Sequence, residues 1–138
     1  MTAKQWLSRG RGIDRELDAL IRVRQETYDR LTSITPGGGE GVSGSKDPHK
    51  FDRLAELDEM IQTRFEELLG VKSEILRAIN TLQDSRQRQV MIGRYVELRT
   101  WEQIAVDMCY SKKQVTRLHG YALAGLKDVL ECPARPVV

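Results

Sequence analysis

The feature that most constrains this chain is a run of apolar residues spaced in alternating fours and threes. Ile61, Phe65, Leu68, Ile75, Ile79 and Leu82 follow that spacing, and Lys72 takes one place within it. Leu54 and Asp58 carry the register backwards, with Leu57 beside it. Such spacing returns side chains to one stripe of an α-helix and forms a heptad seam, here with polar interruptions at Asp58 and Lys72. It predicts a helix from about Phe51 to Leu82, following a natural start at Asp47-Pro48. That helix would be roughly 48 Å long, well beyond the average in globular proteins. A single stripe of that length must face a partner helix.

An earlier segment offers one partner. Ile13, Leu17, Leu20, Ile21, Tyr28 and Leu31 step by threes and fours, with Asp, Glu and Arg on the other face. Thr2-x-x-Gln5 has capping-box spacing, so a helix can begin as early as Thr2. Gly10 and Gly12 weaken that extension, by roughly 1 kcal/mol each relative to Ala. Between the two periodic segments, Thr35-Pro36-Gly37-Gly38-Gly39-Glu40-Gly41-Val42-Ser43-Gly44-Ser45 offers no apolar face. It predicts a flexible Gly/Ser loop over about 33–47. An antiparallel hairpin through this loop would cover the seam; a second copy, giving a homodimer through the long helix, would do so equally. The second helix is expected to outlast the first by several turns, with the excess packing on the C-terminal part or dimerising.

Of the 138 residues, 40% are hydrophobic and 6% aromatic, enough for a core built on Leu, Ile, Val and Ala. No run approaches the ~20 apolar residues of a membrane helix, and the first residues lack the apolar stretch of a secretory leader. No membrane partner is therefore expected. Cys109 and Cys132 form neither a metal-ligand spacing nor a disulfide framework, so a reducing cytoplasm is the expected compartment. The triple glycine at 37–39 lacks the Lys-Ser/Thr of a phosphate-binding loop, and no carboxylate–histidine spacing joins His49 and His119. No enzyme, cofactor or metal is expected. The net charge of +2 hides an asymmetry. From Arg86 onward nine Lys and Arg stand against five Asp and Glu, while the first 85 residues hold 13 against 15. A basic C-terminal part hints at a polyanion partner.

The C-terminal spacing sharpens that hint. Asp84 or Ser85 caps a helix with Val90, Ile92, Tyr95 and Val96 as its apolar positions. Two capping boxes follow, Thr100-Trp101-Glu102-Gln103 and Ser111-Lys112-Lys113-Gln114. Between them a short helix puts Trp101, Ile104, Ala105 and Met108 on one face. After the second box, Val115, Leu118, Ala122, Leu126 and Val129 form the inner stripe of a longer helix. A short helix, a tight turn and a longer helix read as a helix-turn-helix. At 100° per residue, Lys113, Arg117 and Ala124 fall opposite Val115, with Thr116 and Gly120 beside them. An outward face that is basic in its first turns and small further on suits a major groove. Lys112 and the first free N–H groups add an anion-binding pole. His119 and Trp101 lie toward the inner face and read as packed residues. The Arg9-Gly10-Arg11-Gly12 stretch reads as a solvated helix start.

The run from Arg94 to Ala105, Arg-Tyr-Val-Glu-Leu-Arg-Thr-Trp-Glu-Gln-Ile-Ala, followed by Tyr110-Ser111-Lys112-Lys113-Gln114-Val115, resembles region 4 of sigma-70-type factors. The whole chain is similar to small phage and prophage proteins grouped with the ArpU-type regulators of late genes. The match is carried by Val42-Ser43-Gly44-Ser45, by the Leu-Arg-Ala-Ile run at 76–79 and by the Tyr-Ser-x-x-Gln-Val-x-Arg-Leu-His-Gly run at 110–120. The resemblance implies an all-α fold, a helical hairpin or coiled-coil arm over 1–83, a helix-turn-helix domain over 84–131 and a tail over 132–138. It implies a transcriptional regulator that binds double-stranded DNA. Lys112, Lys113, Gln114, Thr116 and Arg117 would read the groove, and Thr100 would contact phosphate. Ser111 and Gly120 complete the DNA-facing set. Bacterial RNA polymerase is a candidate second partner. A helical adaptor for polymerase or another phage protein and a small-terminase-like packaging component are the alternative readings. Cys109 and Leu98 stand where relatives commonly place glycine, and a left-handed backbone there costs roughly 1 kcal/mol. Sigma region 2 has no counterpart, so a regulator is expected, not a complete initiation factor.

Overall fold

The computed structural model describes residues 1–33 and 48–131; the expected Gly/Ser loop and the 132–138 tail lie outside them. The described residues are all-α, with no strand among them. The helices are α1 (Ala3–Leu7), α2 (Arg9–Thr32), α3 (Asp52–Ile79), α4 (Ser85–Met91), α5 (Trp101–Met108) and α6 (Lys112–Leu130). A π-helical turn, Ile92–Val96, continues α4. Among the described residues no helix is long and apolar enough to cross a membrane.

The chain forms two compact units, a head of Met1–Gly12 with Leu68–Val138 and a hairpin of Ile13–Glu67. The boundary expected at 83/84 therefore falls inside the head. The reason is packing: the end of α3 contributes Ile75 and Ile79, and α1 contributes Leu7, to one buried cluster with Leu82, Met91, Tyr95, Ala122 and Leu126. The part of α3 expected as excess length thus packs on the C-terminal part. A second cluster, Val90, Ile104, Ala105, Val115 and Leu118, with Trp101 and Met108 packed on it, holds α4, α5 and α6 together.

Several helix ends follow from local chemistry. Thr2, Thr100 and Ser111 each close a reciprocal capping box, with Gln5, Gln103 and Gln114. Asp84 caps α4 by accepting from the Arg86 amide. Other ends depart from expectation. The α1–α2 break falls at Ser8, and α2 runs straight through Gly10 and Gly12. Gly10 is buried, and a Cβ there would sit 3.7 Å from both Leu68 Cδ1 and the Tyr95 carbonyl oxygen. That is ordinary van der Waals spacing, and burial in the head outweighs helix propensity at that position. The α3 helix starts at Asp52, after a turn over 48–51 in which the Asp52 amide donates to the His49 carbonyl at 3.1 Å. It stops at Ile79, and Leu82 reaches the core from the turn beyond, where its amide donates to the Ile79 carbonyl. The Arg9–Gly12 stretch is not a solvated start. The Arg9 guanidinium meets Glu74 at 2.7 Å and lies over Trp6, while Arg11 donates to the Arg94 carbonyl at 3.1 Å.

Within the hairpin unit, α2 and α3 run antiparallel. Glu16 pairs with Arg64 at 3.3 Å and Arg24 with Asp58 at 2.5 Å, so rising numbers on one helix meet falling numbers on the other. The Arg24 contact explains why an aspartate sits in the seam at position 58. Leu17 and Leu54 are buried, but Phe65, expected on the seam, is 45% exposed. One partner helix covers one side of a stripe and leaves the other open.

Candidate nucleic-acid interface

The head brings α5 and α6 together across a three-residue turn, Cys109-Tyr110-Ser111. The Tyr110 amide donates to the Ala105 carbonyl at 3.0 Å and the Cys109 amide to the Val106 carbonyl at 3.2 Å. These are the two bonds of a Schellman motif, which requires a left-handed residue between them. Cys109 supplies it, with φ 57° and ψ 37°; its thiol is exposed. Leu98, before α5, is the other non-glycine residue with positive φ among the described residues, at 58°. Both positions where the resemblance marked a missing glycine therefore adopt the conformation glycine favours. The turn before α5 is braced: the Arg99 amide donates to the Gly93 carbonyl, and Arg94 and Arg11 both donate to the Arg99 carbonyl.

The residues expected to face DNA divide by what holds them. Thr100 and Ser111 use their hydroxyl oxygens to accept from the Gln103 and Gln114 amides, at 3.2 and 3.1 Å. They are caps first. Gln114 Oε1 accepts from the Ser111 amide at 2.9 Å, so its carbonyl end is committed to the turn. The Thr116 hydroxyl donates to the Lys112 carbonyl at 2.9 Å, satisfying its hydrogen within the helix. Lys112 reaches back across the turn to Glu102, 2.8 Å away, and that hydrogen bond holds the Glu102 carboxyl below the usual carboxylate range. Lys113 and Arg117 are exposed and have no ion-pair partner among the described residues. Gly120 is also exposed, and a Cβ there would meet open space. Of the eight residues, Lys113 and Arg117 are thus the cations free to meet an external anion.

Position on the helix explains the remaining pattern. Val115, Leu118, Ala122 and Leu126 are buried as expected. Val129 is 57% exposed, while Leu123, Leu126 and Leu130 pack on the core at that end of α6. Tyr121, which is not among the residues expected on the outward face, is 59% exposed, one turn beyond Arg117. Its signal was an aromatic residue off the apolar stripe. His119 is 7% exposed, with Nε2 2.7 Å from the Tyr95 hydroxyl and its ring edge-on to Trp101 at 4.7 Å. Burial lowers its pKa to about 4, assisted by Lys4 and Arg94, so the ring is neutral near pH 7. The Arg94 guanidinium lies 4.3 Å from the Trp101 ring centroid, on the outer side of this stack. Trp101 and His119 are packed residues that orient α5 on α6. Among the described residues no cluster of His, Cys, Asp and Glu is arranged to hold a metal ion.

No family model matches this chain, and neither the curated proteins nor the solved structures contain a match to it.

Proposed function

We propose that this chain is a DNA-binding transcriptional regulator of phage or prophage type, with α6 reading duplex DNA in the major groove. The observation that carries the reading is the pair Lys113 and Arg117. They are exposed, without ion-pair partners among the described residues and one turn apart, on a helix fixed by a Schellman turn and a reciprocal cap. Long cations on the first turns of the second helix suit base edges or phosphates, while Gly120 and Ala124 let the helix approach. The α6 backbone ladder begins with the Val115 amide on the Ser111 carbonyl, which leaves the amides of Lys112 and Lys113 at the helix entrance as anion donors. Tyr121 extends the same face. The resemblance to sigma region 4 supports transcription as the setting.

Gel-shift titration of a random duplex over a salt series tests this. The Lys113→Ala/Arg117→Ala protein is expected to bind more weakly at every salt concentration. Its salt slope should be smaller by about two, one phosphate equivalent for each cation lost. Equal binding and equal slope would remove α6 as the DNA face.

A further inference from the structure

The hairpin unit carries a surface that the DNA reading leaves unused. Between α2 and α3 lies a groove of about 600 Å³. Its apolar lining is Ala19, Leu20, Val23 and Met60, of which Val23 is 47% and Met60 51% exposed. Methionine is unbranched and adaptable, and it suits a surface that accepts an incoming apolar side chain. The rim is acidic. Glu56 and Glu59 line it and have no ion-pair partner among the described residues. Arg64, the one cation of the lining, is already engaged by Glu16 at 3.3 Å and Glu67 at 3.1 Å.

Charge decides which occupant fits. Over 13–33 and 48–67 the hairpin holds seven Lys and Arg against eleven Asp and Glu. A nucleic acid is repelled by that sign, and a second copy would bring the same carboxylates together. The groove's run from Glu16 to Val23 spans about two helical turns, roughly 10 Å. A helix lying in such a groove anchors side chains at i, i+3, i+4 and i+7 on an apolar floor and leaves its polar flanks at the rim. We propose that this groove docks a basic amphipathic helix of a partner protein. Its apolar side chains would sit on Val23 and Met60, and its Lys or Arg side chains would meet Glu56 and Glu59. The proposal rests on the hairpin alone and stands or falls separately from DNA binding by α6.

The experiment uses the full chain and a fluorescein-labelled 18-residue amphipathic Leu/Lys peptide, with a Leu/Glu peptide of the same pattern as its counterpart. Anisotropy titrations are expected to show binding of the lysine peptide, weakening with salt, and none of the glutamate peptide. Met60→Asn leaves the charge unchanged and should cost about tenfold in affinity, the loss of one apolar anchor. The Glu56→Lys/Glu59→Lys protein should reverse the preference between the two peptides. All three positions are exposed, and circular dichroism checks that the helices persist. Equal binding of both peptides, or lysine-peptide binding indifferent to Met60→Asn, overturns the proposal. So does a dimer in sedimentation that Met60→Asn dissociates, because the occupant would then be a second copy.

Discussion

Ile75 and Ile79 are fully buried in the head, whereas Met60 and Phe65, earlier on the same helix, stand about half exposed in the hairpin. The chemistry of α3 is similar at both ends; the number of neighbours differs. In the head, α1, α4 and α6 enclose its stripe from several sides, so apolar burial is nearly complete there. In the hairpin one antiparallel helix covers one flank. Ile21, Val23, Tyr28, Phe51, Met60 and Phe65 retain between 43% and 51% of their exposure, and ion pairs at Glu16–Arg64 and Arg24–Asp58 set the register. Exposed pairs of this kind contribute little stability, typically below about 1 kcal/mol each. Burial therefore concentrates stability in the head, and the hairpin keeps apolar surface exposed.

The largest test of this contrast is a matched pair of truncations. Ile79→Ala in the head should cost about 2–5 kcal/mol in denaturant unfolding, the usual range for emptying a closed core position. Ile21→Ala in the hairpin, at 47% exposure, should cost less than about 1 kcal/mol. Equal losses would break the comparison.

A second test uses pH to weaken the head selectively. His119 has a folded pKa of about 4, below its ordinary value of 6.5, so the unfolded chain takes up this proton first as pH falls. The head should keep its full stability above pH 6.5 and lose roughly 2–3 kcal/mol between pH 6.5 and 4. The Asp84 and Glu102 carboxyls, held low by Arg86 and Lys112, begin to lose their contribution only near their ordinary values of 3.8 and 4.5, so the fall between pH 6.5 and 5 isolates His119. His119→Gln should flatten the loss over that window. A slope unchanged by the substitution would show that the Tyr95–His119 contact does not couple to folding.

The smallest effect probes strain within the head. Cys109→Gly removes a side chain from a left-handed position and should raise stability by up to about 1 kcal/mol. A thermal melt that falls instead would mean that the cysteine contributes packing that its exposed thiol does not suggest.

The sequence carries much of this architecture because many of its signals are local. The capping boxes at Thr2, Thr100 and Ser111 each lie within four residues, and the α5 and α6 stripes repeat at helical spacing. The antiparallel hairpin follows from two periodic segments joined by a glycine-rich stretch. What stayed hidden depends on contacts distant in the chain. Gly10 looks like a helix breaker in the sequence, and its burial in the head depends on residues distant in the chain. The π-helical turn at Ile92–Val96 has no composition of its own. It lets Gly93 approach α5 so closely that an added Cβ would come within 3.0 Å of Ile104 Cγ1. At the candidate site, helical angles separated Lys113 and Arg117 from the core. They did not show that Lys112 is tied to Glu102, because that pair forms only once the turn brings the two helices together. Nor did they show how far Thr100, Ser111, Gln114 and Thr116 are engaged in the backbone of their own helices.

The Ala3 amide donates to the Glu131 side chain at 2.7 Å, and Leu7 is enclosed by residues that include Ala122 and Leu126. This junction sets the order of events during synthesis. Residues 1–12 are made before the hairpin, yet their seat on α6 comes only after about a hundred further residues have been added. The hairpin has all its partners much earlier. The end of α3 can cover part of Leu7 earlier, but the cluster around it is complete only when α6, the last helix of the head, is present.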